Sequence, residues 1–324
     1  MKTAEPPIPF LEPISTEMEQ VEQLVHETLA KAEAPLGPIL QRHVGGGKHL
    51  RSALVILGGR LLGAPPKPIV SLAAGLDLLH AATLIHDDLV DRSNLRRGRE
   101  TLHTVWSVGA TVLAGDYLLG QAVSLIAGLG HPRVLAAFGA LLRTICAGEI
   151  RQTLIARDRH SSREDYYHSI GAKTASLFAA SLEMAAILAA APELQVAALR
   201  HFGHEVGIAY QIVDDVLDLT GEEVQLGKPA GSDLRQGLVT LPVLCYLQRT
   251  RDDPTIEDVL SGRCDEEQLR AAIEAIRSSG AIEASLDEAY AHLRSGQQAL
   301  QDLPDSPARQ MLCDLAQYVV ERRR

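Results

Sequence analysis

Aromatic side chains are scarce in this 324-residue chain: Phe, Trp and Tyr together make up 4% of it, with a single Trp. No sustained alternation of apolar and polar residues accompanies them, and no Asn-Gly pair marks a hairpin, which argues against a sandwich or barrel. Cysteine is as thinly spread. Cys146, Cys245, Cys264 and Cys313 lie far apart with no CxxC pair, against both a structural zinc site and a disulfide framework. Excess positive charge is missing too. A net charge of -10 makes nucleic acid a poor partner. An anionic substrate stays compatible, provided metal and local Lys or Arg neutralise it. No signal-peptide pattern surrounds Pro6, Pro7, Pro9 and Pro13, and apolar stretches are broken by charge, Gly or His before reaching spanning length. A cytoplasmic protein without a transmembrane segment is therefore expected.

What the chain does have is helix-forming apolar residues. Hydrophobic residues make up 46%, largely Ala, Leu, Ile and Val at helical spacing. The expectation is one all-α body over residues 1–324, with a loose arm at 1–14. A first helix is expected from Thr16, with Glu19 completing a capping box.

The chain is organised around Leu76–Arg97, LDLLHAATLIHDDLVDRSNLRR. Asp87, Asp88 and Asp91 stand within a turn of one another at the end of an unbroken apolar helical run. Clustered carboxylates on a buried helix repel by several kcal/mol each unless a cation compensates. Arg92, Arg96, Arg97 and Arg99 follow directly, on a loop whose Gly98 lets it fold back over the cluster. The spacing recurs at Tyr210–Thr220 as Asp214, Asp215 and Asp218. Either cluster alone reads as a solvated acidic turn, but both are flanked by apolar residues. Two such helices facing each other would offer six carboxylates to a hard divalent cation, and magnesium suits them.

Other segments carry cations and small residues. Gly45-Gly46-Gly47-Lys48-His49-Leu50-Arg51 reads either as a flexible loop with solvated bases or as an anion site built from free amides and a helix start. His80, seven residues before Asp87, shares its helix face. Glu149 and Gln152 are expected at a surface, the alternative being contact with a metal-bound water. Lys173 and Thr174 stand together at a helix start, Gly203 and Gly207 lie where close helix packing is expected, and Gly221–Gly237 is a Gly-rich loop with Lys228, Asp233 and Arg235.

From about Gly45 to Pro242 the chain resembles the trans-isoprenyl (polyprenyl) diphosphate synthases, of the medium- to long-chain kind. GGGKHLR, the His80–Arg97 block, Lys173-Thr174, YQIVDDVLD and GKPAGSDLRQG carry the resemblance, in that order and spacing. It implies a bundle of ten or more helices around a deep central cavity, as a homodimer. It also implies that isopentenyl diphosphate is held by Lys48, Arg51, His80 and Arg97, and the allylic diphosphate by Arg96, Lys173, Thr174, Gln211 and Lys228. Asp87, Asp91 and Asp214 match the main ligands of magnesium, with Asp88, Asp215 and Asp218 in support and three ions expected when substrate is bound. Many members carry Lys two residues before Thr240, where this chain has Leu238. That puts one allylic contact in doubt, with Arg235 as its replacement.

The chemistry fits these residues on its own terms. An allylic diphosphate ionises when its leaving group is neutralised, and the alkene of isopentenyl diphosphate, held alongside, then attacks. The released diphosphate is the expected base. A class I terpene cyclase would replace the second acidic motif with an Asn/Ser/Glu pattern. A squalene- or phytoene-type synthase has no use for the isopentenyl set, and a non-catalytic subunit of a heteromeric synthase typically loses acidic residues. For product length, the wall N-terminal to Asp87 is formed by Leu79, Ala82 and Thr83, with Ala81 beside them. It carries none of the bulky aromatics of early-stopping relatives. A product beyond farnesyl is expected, with geranylgeranyl as the alternative if Leu79 and a helix bearing Leu119 or Val123 form a floor. A lipidic product implies transient membrane contact.

Overall fold

The computed structural model describes residues 8–44, 49–96, 98–155, 162–221, 230–250 and 253–322. In chain order the helices are α1 (Ser15–Ala30), α2 (Leu36–His43), α3 (Leu50–Leu61), α4 (Pro66–Val90), α5 (Leu102–Val105), α6 (Val108–Gly128), α7 (Pro132–Ile155) and α8 (Arg163–Ile170). A π turn, Gly171–Ala175, leads to α9 (Ser176–Leu188) and α10 (Glu193–Thr220). Then come α11 (Ser232–Arg235), α12 (Leu241–Arg249), α13 (Pro254–Leu260), α14 (Glu266–Ser278), α15 (Ala281–Ala299) and α16 (Pro307–Glu321). The fold is all-α. Among the described residues the strands are β1 (Leu95–Arg96) and β2 (Arg99–Glu100), a two-residue hairpin turning through Gly98 at φ +69°.

Contacts group the chain into two compact units. Met1–Gly139, Ala180–Arg200 and Asp302–Leu315 form the first, and Ala140–Ala179, His201–Gln301 and Ala316–Arg324 the second. At the centre of the first unit lies α4. Pro66 and Pro68 occupy its first turn, where a missing amide costs nothing. Leu72, Leu76, Leu78 and Leu79 are fully buried on it, each worth about 1.5–3 kcal/mol on leaving water. The second unit is built on the later part of α10, where Phe202, Val206, Ile212 and Val213 are buried.

The amino-terminal segment departs from expectation. Pro9–Ile14 form a 3-10 helix that buries Leu11 and Ile14, spaced one turn apart, and Arg60 donates to the carbonyl of Pro13. The expected loose arm is therefore packed over residues 9–14. Helix α1 continues from this turn at Ser15 without a side-chain cap, so the Thr16–Glu19 capping box is not formed.

Three helical stretches prove long and apolar enough to cross a membrane: Pro66–Val90, Val108–Gly128 and Arg163–Leu188. The polar interruptions that argued otherwise sit inside continuous helix, where neighbours satisfy them. Asp77 of α4, for example, accepts from Ser52 Oγ at 2.7 Å. In the first and third stretches 67% and 78% of the apolar window is buried within the protein, against 33% for Val108–Gly128.

Candidate functional site

In the first unit, Asp87 and Asp88 end α4 and Asp91 caps it, its amide bonded to the carbonyl of Asp87. Arg92, at φ +53°, stops the helix and turns the chain into the hairpin. The hairpin returns Arg96 to the acidic turn, where its Nε donates to Asp88 Oδ1 at 2.6 Å. The folding-back expected of this loop is thus formed by β1. Burial pushes the Asp88 carboxyl above its usual range, and the Arg96 guanidinium opposes that shift. Asp88 is buried, Asp87 half-buried and Asp91 exposed, so one carboxylate faces the protein and two stay accessible.

Arg51 lies in the first turn of α3, half-buried. That turn is tied to α4 by Ser52 Oγ to Asp77, and His49 Nδ1 lies 3.5 Å from the same carboxylate oxygen. His80 is half-buried, and its carbonyl accepts from Thr83 Oγ1 at 2.8 Å. Leu79 and Ala82 are buried. Val123 corrects one expectation: it is exposed on α6, which meets α4 through Ala122, Ile126 and Gly115 instead. It forms no floor beneath Leu79. Lys48, Arg97 and Lys228 lie outside the described residues.

The second unit builds a denser arrangement. Gly203 and Gly207 let α10 touch backbone: a Cβ at Gly207 would fall 2.5 Å from Ala175 Cα, and one at Gly203 2.6 Å from the carbonyl oxygen of Phe178. This close approach seats the π turn on the acidic helix. Thr174 Oγ1 donates to Gln211 Oε1 at 2.7 Å, and Gln211 Nε2 donates to Asp215 Oδ1 at 2.9 Å. Tyr166 of α8 donates its hydroxyl to Asp215 Oδ2 at 2.7 Å. Lys173 Nζ lies 2.8 Å from Glu149 Oε1, so Glu149 orients a cation rather than standing apart at the surface. Burial drives the Asp215 carboxyl well above its ordinary range, opposed by the bonds from Gln211 and Tyr166. Burial beside that carboxyl likewise raises the Tyr166 phenol, which keeps it a donor.

Asp218, also buried, accepts from the amide of Asp233 at 3.0 Å, and its carbonyl accepts from Gly231. Asp214 alone of the three is exposed, yet Arg322 Nη2 reaches it at 3.1 Å. The Arg322 guanidinium stacks on the Tyr210 ring, 3.7 Å from its centroid, and also bonds the Tyr210 carbonyl. Arg235, expected to replace the missing Lys, is engaged instead by both carboxylate oxygens of Glu266. Sequence reasoning missed Asp77, Tyr166 and Arg322. A lone Asp in an apolar helix hinted at the first, and nothing in spacing marked the other two.

Each acidic motif therefore divides its carboxylates. Asp88, Asp215 and Asp218 are bonded inward, while Asp87, Asp91 and Asp214 remain accessible. Among the described residues no three carboxylate, His or Cys side chains converge into a closed metal cage. Magnesium does not need one, since it takes one or two carboxylates and completes its shell with water and phosphate.

An all-α chain with such an acidic segment on each of two core helices is built like the helical prenyltransferases. The chain belongs to the polyprenyl synthetase family, which residues 33–276 match. It is 38% identical over 310 residues to heptaprenyl diphosphate synthase component 2 of Geobacillus stearothermophilus, covering 95% of this chain and 97% of that one. To the octaprenyl diphosphate synthase of Escherichia coli (strain K12) it is 33% identical over 282 residues, 86% and 87% of the two chains. The crystal structure of polyprenyl synthase from Caulobacter crescentus CB15, complexed with calcium and isoprenyl diphosphate, superposes with a TM-score of 0.93 at 34% identity over all of both chains. The protein is a prenyltransferase.

Proposed function

We propose that this enzyme extends an allylic diphosphate with isopentenyl diphosphate in the presence of magnesium and releases a polyprenyl diphosphate longer than farnesyl. One observation carries the reading. Lys173 and Thr174, far in sequence from the second acidic motif, are seated on it through the Thr174–Gln211–Asp215 bonds, so ammonium, hydroxyl and carboxylates form one polar surface. Such a surface suits a diphosphate with its counter-cation.

The accessible hard oxygens of Asp87, Asp91 and Asp214 fit magnesium and are assigned as its main ligands, three ions being expected with substrate. Bound magnesium supplies the positive charge that stabilises a departing diphosphate. The relative solved with calcium and isoprenyl diphosphate supports a divalent ion here. Arg96 and Lys173 take the allylic diphosphate with Thr174, Gln211 and Lys228. Both cations are already oriented, by Asp88 and Glu149, which lowers the ordering cost when substrate arrives. Lys48, Arg51, His80 and Arg97 take isopentenyl diphosphate, and the departing diphosphate accepts the proton.

Relatives named for heptaprenyl and octaprenyl products support a medium or long chain, as does the small wall of Leu79, Ala82 and Thr83. A homodimer is supported by α6, which exposes Val108, Val112, Leu113 and Val123 beside Gly109 and Gly120, around which space is open. A relative named as component 2 favours a second reading, assembly with a different chain. A cytoplasmic enzyme whose product brings it to membranes fits both. The test is the purified chain alone with magnesium, isopentenyl diphosphate and an allylic primer, with products sized by mass spectrometry and the protein by light scattering. Linear products beyond fifteen carbons from a dimer support the reading. A cyclic hydrocarbon, or no incorporation until a partner chain is added, overturns it.

A further inference from the structure

Tyr166 belongs to neither acidic motif nor the basic set, yet its buried hydroxyl meets Asp215 directly. The bond closes a ring. From Tyr166 the backbone runs through the end of α8 and the π turn to Thr174. Thr174 bonds Gln211, Gln211 bonds Asp215 one turn further along α10, and Asp215 returns to Tyr166. Within the π turn the amide of Ser176 donates to the carbonyl of Gly171, so this stretch is wound more loosely than an α-helix. Side-chain bonds tie it to α10 from Tyr166, before the turn, and from Thr174, within it.

We propose that Tyr166 is a positioning residue: its hydroxyl fixes the register of the Lys173–Thr174 turn against the acidic helix, and so sets the affinity of that half-site for the allylic diphosphate. The inference rests on the assignment of Lys173, Thr174 and Gln211 to that substrate. Both oxygens of Asp215 are occupied, Oδ1 by Gln211 and Oδ2 by Tyr166, so this carboxylate holds neighbouring groups in place. The adjacent residue gives an internal control. The Tyr167 hydroxyl donates to Glu288 of α15, which Arg163 also engages, rather than to the acidic motif. The two rings pack edge to face with centroids 5.4 Å apart, so removing either hydroxyl leaves the packing in place.

The experiment compares Tyr166→Phe with Tyr167→Phe. Steady-state constants are measured for each substrate, with the magnesium dependence of turnover and the melting temperature. Tyr166→Phe is expected to raise KM for the allylic diphosphate about tenfold or more, and to shift half-saturating magnesium upward because Asp214, the assigned ligand, adjoins the Asp215 that Tyr166 holds on α10. KM for isopentenyl diphosphate should stay within about twofold. Tyr167→Phe should lower the melting temperature by a similar amount and leave all three constants in place. If Tyr166→Phe does not fold, Gly207→Ala, which pushes the same turn off α10 at Ala175 without removing a substrate-binding side chain, must show the same split. Equal kinetics for the two Phe variants, or equal rises in both KM values, overturn the role of Tyr166. An inactive wild-type enzyme would instead overturn the assignment of function.

Discussion

Replacing Gly207 with Ala is the most direct test of how the second acidic motif is built. The new Cβ would lie 2.5 Å from Ala175 Cα, 3.0 Å from Ala175 Cβ and 3.2 Å from Phe178 Cβ. Carbon atoms rest about 3.5–4.0 Å apart, so α10 must back away from the π turn by roughly 1 Å. Thr174 and Gln211 are joined by a bond of 2.7 Å, and a shift of about 1 Å takes that pair outside hydrogen-bond range. Overpacking costs about 1–3 kcal/mol, while exchanging Gly for Ala inside a helix returns about 1 kcal/mol. The net loss of stability is therefore about 0–2 kcal/mol, a melting shift of a few degrees at most. Activity is expected to suffer far more, about a hundredfold, because roughly 1 Å of misplacement is enough to spoil alignment. Thermal melts beside kcat/KM for the allylic substrate separate the two effects. A Gly207→Ala enzyme that folds and turns over like wild type would refute the close-packing account.

Asp87→Ala or Asp214→Ala should remove nearly all turnover at ordinary magnesium while circular dichroism stays helical, since each deletes an accessible carboxylate worth several kcal/mol of leaving-group stabilisation. Arg96→Ala and Lys173→Ala should each raise KM for the allylic substrate about tenfold to a hundredfold, and Arg51→Ala should do so for isopentenyl diphosphate; equal effects on both substrates in all three would break the two-pocket assignment. Ala82→Phe, at a buried position of α4, should shorten the product by several five-carbon units, and an unchanged distribution in active enzyme would place the chain elsewhere. Asp165 is pulled from 3.8 to about 2 by bonds from Ser162 and Arg151 in the α8 capping box. A depressed carboxyl stabilises the fold above its unfolded pKa, so this contribution should be present above 3.8 and fade as pH falls toward about 2. An NMR titration midpoint at or above 3.8 would contradict it.

Helical class, the two acidic motifs and the close packing at Gly203 and Gly207 were legible because each leaves a periodic or compositional trace: apolar residues every three to four positions, carboxylates at fixed offsets, and Gly where a backbone must come near. Tyr166 left no such trace, since it lies 49 residues from the carboxylate it bonds and nothing in its polar segment separates it from the adjacent Tyr167. Arg322 was hidden for the same reason. Pro9–Ile14 misled because Pro6, Pro7, Pro9 and Pro13 read as breakers, whereas Pro9, in the opening turn of a 3-10 helix, loses no bond. The apolar length of α4 was underestimated because Asp77 and His80 counted as interruptions, although Asp77 is satisfied by Ser52 within continuous helix.

The π turn has a consequence for the angular phase of the helix that it interrupts. From Arg163 to Leu188 the backbone is one rod with a surplus residue wound into it at Gly171–Ala175. One residue advances a regular helix by about 100°, so the surplus shifts the angular phase of everything beyond it relative to everything before. Upstream of the turn, Tyr166 points to Asp215; at its end, Ala175 meets Gly207. Both contacts fall on the same neighbour, α10, only because the phase has been offset between them. In a regular helix of the same length, Tyr166 and Ala175 would stand nine residues and so about 180° apart, and that helix could satisfy one contact or the other. The irregular winding is what lets a single rod grip the acidic helix twice.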